Sequence, residues 1–382
     1  MTYKRLGDYI REVNVRNKDL KVTDPMGINI EKYFMPSVAN VIGTDLSTYK
    51  LVSNMQFACN LMHVGRDEKI PMAMHKGEQP IIVSPAYFVF ENSKPAELLS
   101  DYLMMWFRRP EFDRNAWFYT DADVRGGMAK DALLEMILPV PPIDRQREIV
   151  EEYETLSHRI RLNKQMIENL EATAQALYRK TFVDNIDKEN LPDGWRMGTI
   201  RDFGEVITGK TPSSENPEDF GEKMPFVTPG DFANYRKFAI SAERYLSIVG
   251  INRLKGKVLA KGTVIVTCIG SDMGKVAIAS EECITNQQMN SIVVKNGDYS
   301  DYLFYALSSM TKELKSMALG SSTMPLLNKS DFEKINIAIP SNDLLMKFSQ
   351  IVSIENNIIL QKLKENSKLT ELQSLLLAKM GQ

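Results

Sequence analysis

The sequence is poor in cysteine, and its three cysteines, Cys59, Cys268 and Cys283, are widely scattered. Their spacing forms neither a CxxC metal pair nor a disulfide framework, which favours buried, reduced thiols. No run of about 18 apolar residues is present, and the N-terminal MTYKRLGDYI lacks the apolar core of a secretory signal. These absences predict a soluble protein of the cytoplasm.

Catalytic motifs are also scarce. The segment GSDMGK at 270–275 resembles a phosphate-binding loop, but it is one residue short between its glycines and has Val276 where Ser or Thr would hold magnesium. A tight hairpin is the better interpretation. No GxSxG, no glycine-rich dinucleotide fingerprint and no Asn-Pro-Pro-Tyr motif of an amino-methyltransferase is present. The sequence therefore predicts a binding protein without catalysis, metal or bound cofactor.

What the sequence does contain is a long heptad pattern over residues 143–182, interrupted only by Asn163. About 40 residues at a rise of 1.5 Å would form a helix roughly 60 Å long. The apolar seam consists of Ile149, Tyr153, Leu156, Ile160, Ile167, Leu170, Ala174 and Leu177. This spacing predicts a coiled-coil helix.

The second half of the chain repeats the first. RLGDYI from Arg5 returns as TIRDFG from Thr199, and SDYL from Ser100 returns from Ser300, at offsets of about 194 to 200 residues. A second helical run near the C-terminus then corresponds to the first, although Glu355 and Lys362 occupy its seam. The repetition indicates a duplicated structural unit.

The predicted fold is α+β, with two similar globular α/β domains separated by two long antiparallel coiled-coil helices related by pseudo-two-fold symmetry. We assign residues 1–142 to the first domain, 143–183 to the central helix, 184–340 to the second domain with a linker at 184–194, and 341–382 to the C-terminal helix. Two heads held at a fixed spacing suit a target with approximate two-fold symmetry, for which duplex DNA is the obvious candidate.

The net charge of −2 does not favour nucleic acid, but the distribution of charge does. Between Arg236 and Lys275, basic residues outnumber the two acidic ones, Glu243 and Asp272, by six. A local basic face can supply phosphate contacts that the average charge hides. An ordinary solvated surface is the alternative.

Several motifs together resemble the specificity subunits of type I restriction-modification systems over essentially the whole chain. They are VPPIDRQREIV at 140–150, LPDGW at 191–195 leading into ITGKTP at 207–212, GTVIVTCIG and GKVAI within 262–278, TNQQMNSI at 285–292, and GSSTMPLLN at 320–328.

The resemblance implies two target-recognition domains that bind a bipartite DNA site, one half-site each. It also implies that the helices dock two modification subunits, which use S-adenosylmethionine to methylate adenine N6, and that restriction subunits add ATP- and Mg-dependent activity. None of these cofactors would bind this chain. A coiled-coil interaction protein without nucleic acid, and a self-contained DNA methyltransferase or nuclease, are the alternatives.

Candidate DNA contacts are basic or hydroxyl side chains. Arg and Lys bind guanine or phosphate, and Ser and Thr can hydrogen-bond to guanine or adenine. In the first domain they are Arg66, Lys69, His75, Lys76, Arg125 and Lys130. In the second domain they are Lys210, Thr211, Arg236, Lys237, Arg244, Arg253, Lys255, Lys257, Lys275, Ser322 and Thr323. We interpret Asn286, Gln287 and Gln288 as support for the fold. A surface charge without function is the alternative for each single residue.

Candidate contacts with the modification subunits are charged residues on the outer face of the central helix. They are Arg145, Arg147, Glu151, Glu154, Arg159 and Arg161. Solvated charges of an internal coiled coil are the alternative here.

Overall fold

The computed structural model describes residues 2–38, 43–62, 64–120, 126–187, 189–270, 272–318 and 326–380. The chain forms two compact units: unit 1 comprises Met1–Arg161 with Ser367–Gln382, and unit 2 comprises Leu162–Asn366. Each unit therefore contains a set of sheets and one segment from each of two long helices.

Unit 1 contains a four-stranded sheet of order β2-β9-β6-β7, a second of order β4-β3-β8-β5, and the antiparallel pair β1-β10. The strands are β1 (Thr2–Arg5), β2 (Ile10–Glu12), β3 (Pro25–Ile28), β4 (Phe34–Pro36), β5 (Lys50–Val52), β6 (Phe57–Cys59), β7 (Met72–Met74), β8 (Ile81–Val83), β9 (Phe88–Asn92) and β10 (Ile137–Val140). The helices are α1 (Val64–Asp67), α2 (Ser100–Phe107), α3 (Pro110–Phe118), α4 (Lys130–Leu134) and the start of α5 (Ile143–Phe182).

Unit 2 contains a five-stranded sheet of order β12-β20-β17-β18-β15, a four-stranded sheet of order β13-β16-β14-β19, and the pair β11-β21. The strands are β11 (Arg196–Thr199), β12 (Gly204–Thr208), β13 (Phe220–Gly221), β14 (Met224–Val227), β15 (Phe238–Ala239), β16 (Arg244–Leu246), β17 (Val264–Thr267), β18 (Val276–Ala279), β19 (Ile284–Thr285), β20 (Met289–Val294) and β21 (Asn336–Ile339). The helices are α6 (Ile200–Phe203), α7 (Ile248–Arg253), α8 (Tyr299–Ser309), α9 (Thr311–Ala318), α10 (Lys329–Glu333) and α11 (Asn342–Lys379).

The main sheets of the two units share four strands in the same order, which confirms the duplication, whereas the second sheets differ in strand order. The order β2-β9-β6-β7 in unit 1 returns as β12-β20-β17-β18 in unit 2, and the parallel pair β3-β8 returns as β14-β19. In both units the SDYL motif lies at the start of a buried helix, α2 or α8, and a strand pair closes the sheet domain before the long helix. The mixed α/β fold with two long helices is thus the predicted class.

Apolar side chains from sheets and helices meet in one main core in each unit. In unit 1, the rings of Phe57 and Phe90 stack with centroids 5.0 Å apart, and Phe107 of α2 meets Phe57 edge-on at 5.8 Å. In unit 2, Tyr302 of α8 lies against Phe182 of α5 at 5.0 Å and stacks on Phe203 at 5.8 Å. The core of unit 1 also contains Tyr153 of α5 and Leu377 of α11, so each core joins the sheet domain to the long helices.

The three cysteines are buried and free, as predicted. Burial raises the pKa of the Cys59 thiol well above its ordinary value and raises those of Cys268 and Cys283 to about 12. These thiols are therefore protonated packing groups. Across the described ranges, no helix combines the length and the apolar character that a bilayer crossing requires.

The segment at 270–275, of which Ser271 lies outside the described residues, connects the antiparallel strands of a hairpin and is not a phosphate loop, again as predicted. β17 and β18 pair in an antiparallel manner, and the Gly274 amide donates to the Thr267 carbonyl at 2.8 Å. Gly274 has a φ of +84°, a conformation that glycine adopts without strain.

In both units, α5 and α11 run antiparallel. In unit 2, Asn163 lies beside Asn366 while Tyr178, further along α5, lies near Phe348, earlier on α11. In unit 1, Gln373 of α11 donates to the hydroxyl of Ser157 at 2.7 Å. The predicted antiparallel pairing is confirmed within each unit.

The one polar interruption of the α5 seam has a specific partner. The Asn163 side chain is 2% exposed, and its amide donates to the Asn366 side-chain oxygen at 2.9 Å. A buried amide keeps its place in an apolar seam only when its hydrogen bonds are satisfied.

We expect Asn163→Leu to destabilise the protein by about 1–3 kcal/mol, because the change leaves the Asn366 amide without this partner. Thermal unfolding of the intact chain measures the effect. The double variant Asn163→Leu with Asn366→Leu should recover most of the lost stability. A single variant as stable as the wild type would show that the amide pair contributes nothing.

Candidate nucleic-acid interface

The connections between four strands of the five-stranded sheet meet at one edge of unit 2. β12 ends at Thr208, which pairs with Asn290 near the start of β20. β17 ends at Thr267, next to Val266, which pairs with Val276 at the start of β18. The segments that leave this edge are 209–212, 268–270 with 272–275, and 286–288. We call them the loop edge of unit 2.

A chain of hydrogen bonds ties a further segment to this edge. The Thr208 hydroxyl donates to the Asn290 side-chain oxygen at 2.7 Å, and the Asn290 amide donates to the Leu327 carbonyl at 3.1 Å. Leu327 in turn donates its backbone N–H to Cys268 at 2.9 Å. The end of the GSSTMPLLN motif therefore lies at the loop edge. Two of its predicted contacts, Ser322 and Thr323, lie outside the described residues.

The GKTP segment is fixed by the turn that precedes β20. A Cβ at Gly209 would lie 2.2 Å from the Asn286 carbonyl oxygen, so only glycine allows this approach. The Lys210 amide donates to Thr285 at 2.9 Å, and the Thr211 hydroxyl bonds to the Gln287 side-chain oxygen at 2.5 Å. These contacts leave the Lys210 side chain exposed at the loop edge.

The predicted supporting role of the NQQ turn holds for two of its three residues. The Asn286 side chain accepts from the Gln288 backbone at 3.1 Å and donates to the Gln288 side chain at 3.1 Å. Gln287, in contrast, is exposed beside Thr211. Its amide type suits adenine, so the position adds a candidate DNA contact to those predicted from the sequence.

Some predicted cations of unit 2 carry uncompensated charge. The Lys257 ammonium donates to the Thr208 carbonyl at 2.9 Å, which brings it to the loop edge, and the Arg244 guanidinium lies 3.7 Å from the centre of the Phe220 ring. Lys255 is exposed on a short 3-10 turn. Within the part of the chain that the structure describes, no carboxylate pairs with Lys210, Arg244, Lys255 or Lys257.

Other predicted cations already have acidic partners. The ion pairs are Arg236 with Glu168 and Glu171 of α5 at 2.7 and 3.0 Å, Arg253 with Glu218 and Asp219 at 2.8 and 2.9 Å, and Lys275 with Asp272 at 2.7 Å. The basic stretch seen in the sequence is therefore partly neutralised by acids from distant segments.

The prediction for Lys237 is corrected by its burial. Its side chain is 1% exposed, and its ammonium lies 2.6 Å from the Asp301 carboxylate and 4.7 Å from the centre of the Tyr305 ring. Burial lowers the pKa of Lys237 even though Asp301 opposes the shift. Asn356 of α11 donates to the same carboxylate at 2.9 Å. Lys237 anchors the sheet domain to the helices and is not accessible to DNA.

Unit 1 has a corresponding edge, formed where β2 and β6 end and where β7 and β9 begin. Its connections are 60–62 with 64–71, and 84–87, and segment 126–128 is tied to them. The Gly65 amide donates to Gly126 at 2.7 Å, and the Met128 amide donates to Leu61 at 2.8 Å. We call these four segments the loop edge of unit 1. Predicted Arg66 and Lys69 lie on it, whereas Arg125 lies outside the described residues.

The described cations that we predicted for unit 1 are all ion-paired. The pairs are Arg66 with Asp67 at 2.7 Å, Lys69 with Glu31 at 3.1 Å, Lys130 with Glu12 at 2.7 Å, and Lys76 with Asp101 and Glu154 at 2.7 and 2.9 Å. His75 bonds to the Gln79 carbonyl at 2.7 Å. Phosphate groups would have to compete with these partners, which weakens a simple electrostatic contact in unit 1.

The predicted subunit contacts on α5 are all exposed. Arg145 pairs with Glu148 at 2.7 Å, and Arg147 pairs with Asp144 at 2.6 Å. Arg161 donates to His158 at 2.6 Å. These are short-range pairs on the helix surface, which contribute little to stability. They leave the outer face of α5 available except at Glu154, which is paired with Lys76 of the sheet domain.

A groove with an apolar floor runs between α5 and α11 in unit 1. The groove residues are Glu148, Glu151, Glu152, Thr155, Leu156, Leu372, Leu375, Leu376 and Lys379. Leu372 and Leu375 are 50% and 52% exposed, while the carboxylates form a rim. A cluster of exposed leucines on a helix pair is typical of a protein interface.

Groups of His, Cys, Asp and Glu that could hold a metal ion are absent from the described residues. The architecture is that of a recognition scaffold, in which duplicated sheet domains present loop edges and long helices present a partly apolar face.

Comparison with known proteins identifies that scaffold. Residues 192–375 match the family described as "Type I restriction modification DNA specificity domain". The chain is 28% identical over 320 residues to the HindI specificity subunit of Haemophilus influenzae, covering 65% of this chain and 69% of that one. It is 33% identical over 196 residues to the MjaIX specificity subunit of Methanocaldococcus jannaschii, covering 50% and 45% of the two chains. Residues 192–375 therefore match the specificity domain of type I restriction-modification systems, and the chain is similar in sequence to the specificity subunits of such systems.

The fold agrees with a solved structure. The crystal structure of the S subunit of a type I system from M. genitalium superposes with a TM-score of 0.63 at 14% identity, covering 100% of this chain and 96% of that one. Within type I systems, specificity subunits are the non-catalytic DNA-recognition subunits.

We expect Lys210→Ala combined with Lys257→Ala to weaken DNA binding and to lower the slope of log affinity against log salt by about two, since each phosphate contact contributes about one. Binding of a labelled duplex to the chain assembled with its modification subunits, measured at several salt concentrations, tests this. Arg236→Ala is the matched control, because Glu168 and Glu171 already occupy its charge. An equal loss in both variants would contradict the distinction.

Proposed function

We propose that this chain reads a bipartite duplex DNA target in the cytoplasm, with one half-site contacted by the loop edge of each unit. The observation that carries the proposal is the duplication itself. Both units place hairpin and turn segments at the same edge of the same sheet. Two similar surfaces on one chain fit a target made of two separate half-sites.

The loop edge of unit 2 supports both kinds of DNA contact. Lys210 and Lys257 supply charge for phosphates, which position the protein, and Thr211 with Gln287 supplies hydroxyl and amide groups that can read base edges. The backbone hydrogen bonds of Lys210 and the close packing of Gly209 hold these groups before DNA arrives. Fixed side chains lose less entropy on binding, which favours specific recognition.

The proposal also assigns partners to the helices. Two modification subunits that methylate adenine N6 would bind the faces of α5 and α11, and restriction subunits would join the same assembly. S-adenosylmethionine would bind the modification subunits, and ATP with Mg would bind the restriction subunits. The leucine groove of unit 1 supports this assignment, because its apolar floor and acidic rim suit an amphipathic helix with basic flanks.

We expect genome-wide mapping of N6-methyladenine to return a bipartite motif, with one adenine methylated on each strand, in cells that hold this chain and its modification subunit. The motif should vanish when the chain is deleted while the modification subunit remains. Restoring the chain from a plasmid is the control. Unchanged methylation after deletion, with the complex shown to be expressed, would contradict the proposal.

We expect Leu375→Asp to lower the amount of modification subunit that co-purifies with this chain from two copies to about one, because the change places a charge in the floor of the unit 1 groove. Ile137→Asp is the matched control, since Ile137 is 53% exposed on β10 of the same unit, outside the helices. Circular dichroism confirms that each variant is folded. Normal co-purification of folded Leu375→Asp would exclude this groove as the docking surface.

A further inference from the structure

Three consecutive aromatic residues are exposed at the C-terminal end of α3 in unit 1. Trp117 is 47% exposed, Phe118 81% and Tyr119 53%, and the rings of Phe118 and Tyr119 meet edge-on at 5.4 Å. We call them the aromatic triplet. An exposed apolar cluster of this size has an energetic cost in water and marks a binding surface.

The triplet is not the outer part of the unit 1 core. α3 buries its opposite face, where Phe112 and Ala116 are 2% and 0% exposed. Asp113, on the same buried side, accepts a hydrogen bond from the Lys32 ammonium at 2.7 Å. The core contacts of the helix are thus complete without Trp117 and Phe118.

The triplet adjoins the loop edge of unit 1. Thr120, the next residue, forms an antiparallel bridge with Met128, whose amide donates to Leu61 at 2.8 Å. α1 of the same loop edge packs beside α3. The aromatic surface is therefore continuous with the surface that we assign to DNA.

The corresponding helix of unit 2 has no such cluster among its described side chains. α9 has the sequence TKELKSMA, with Met317 54% exposed where unit 1 has Trp117. If the shared fold required exposed aromatic residues here, both units would contain them. The triplet is thus a property of unit 1 and not of the duplicated scaffold.

Two exposed cations lie near the triplet, and each is paired with a neighbouring acid. Arg114 precedes Phe118 by one helical turn and is 68% exposed, with Glu111 at 3.5 Å as its acidic neighbour. Arg66 on the loop edge is also 68% exposed, and Asp67 is its partner. A cation beside aromatic rings suits a phosphate backbone with bases behind it.

We propose that the aromatic triplet is an apolar wedge that contacts a base step in the half-site read by unit 1, with Phe118 leading. Apolar side chains that enter a groove partly unstack a step and select sequences that deform easily. The wedge would supply unit 1 with affinity that its ion-paired cations do not. This inference rests on the proposed DNA-binding function.

Selection from a pool of random-sequence duplexes tests the wedge, and it requires no assumption about the target sequence. The wild-type complex with its modification subunits should enrich a bipartite motif. The double variant Trp117→Ala with Phe118→Ala should enrich the same second half-site, lose preference in the first, and bind the wild-type motif about tenfold more weakly, as expected for a stacked contact. Met317→Ala, at the corresponding place in unit 2, should leave both half-sites unchanged.

Fluorescence tests the contact directly, because Trp117 is the exposed tryptophan while Trp106 is buried and Trp195 is partly buried. Adding pooled duplex to the complex should protect Trp117 from acrylamide quenching, and Trp117→Phe should lack the protected signal. Protection by the modification subunits alone would overturn the inference in favour of a protein contact.

The selection experiment distinguishes failure of the proposed DNA-reading function from failure of the wedge. If the wild-type complex enriches no motif, the proposed DNA-reading function fails. If it enriches a motif that the folded double variant also selects with equal affinity, only the wedge is excluded.

Discussion

In each unit an ionic anchor joins the sheet domain to a long helix. In unit 2, Asp301 of α8 binds Lys237 and Asn356. In unit 1, Asp101 of α2 and Glu154 of α5 both bind Lys76. The two aspartates are the same residue of the repeated SDYL motif, and each lies in the first turn of its helix, where a negative charge is favoured.

The anchors differ in depth, and the difference matters for their strength. Lys237 and Asp301 are almost wholly buried, whereas the Lys76 side chain is 53% exposed. Removing one member of a buried pair typically costs about 3–5 kcal/mol, because the other charge is left without a partner. An exposed pair contributes about 0–1 kcal/mol. The anchor of unit 2 is therefore the stronger of these two contacts between sheet domain and long helix, while the buried pair of unit 1, Lys32 with Asp113, lies within its sheet domain.

The anchors also determine which basic residues remain for DNA. In the basic stretch from Arg236 to Lys275, Lys237 forms the anchor with Asp301, and Arg236 is ion-paired with α5. Lys255 and Lys257 remain unpaired, and Lys210, from a separate motif, joins Lys257 near Thr208. The loop edge thus collects charge from two distant segments, while much of the contiguous basic stretch serves the fold.

The sequence allowed the long helices, the duplication and the 270–275 hairpin to be predicted, because each depends on local spacing or on repetition. It did not allow paired and unpaired cations to be distinguished. The partners of Arg236 lie 65 and 68 residues away from it in the sequence. Strands of both sheets of unit 2 separate Lys237 from its partner Asp301 along the chain. Only the tertiary fold brings such groups together, so counting charges along the chain overestimated the basic surface of unit 2. The run of Trp-Phe-Tyr at the end of a helix was a visible signal, but a search for residue types that hydrogen-bond to bases passes over it.

The Asn163–Asn366 pair also bears on how the chain folds. Its members are 203 residues apart, so the two helix segments meet only after a long loop has closed. During that search, apolar seams can slide past one another at little cost, since one heptad resembles the next. The amide pair breaks this degeneracy, because an alignment shifted by a heptad separates the two amides and leaves the buried Asn163 without its partner. The pair thus acts as a register mark that selects one alignment of the helices among several of similar apolar contact.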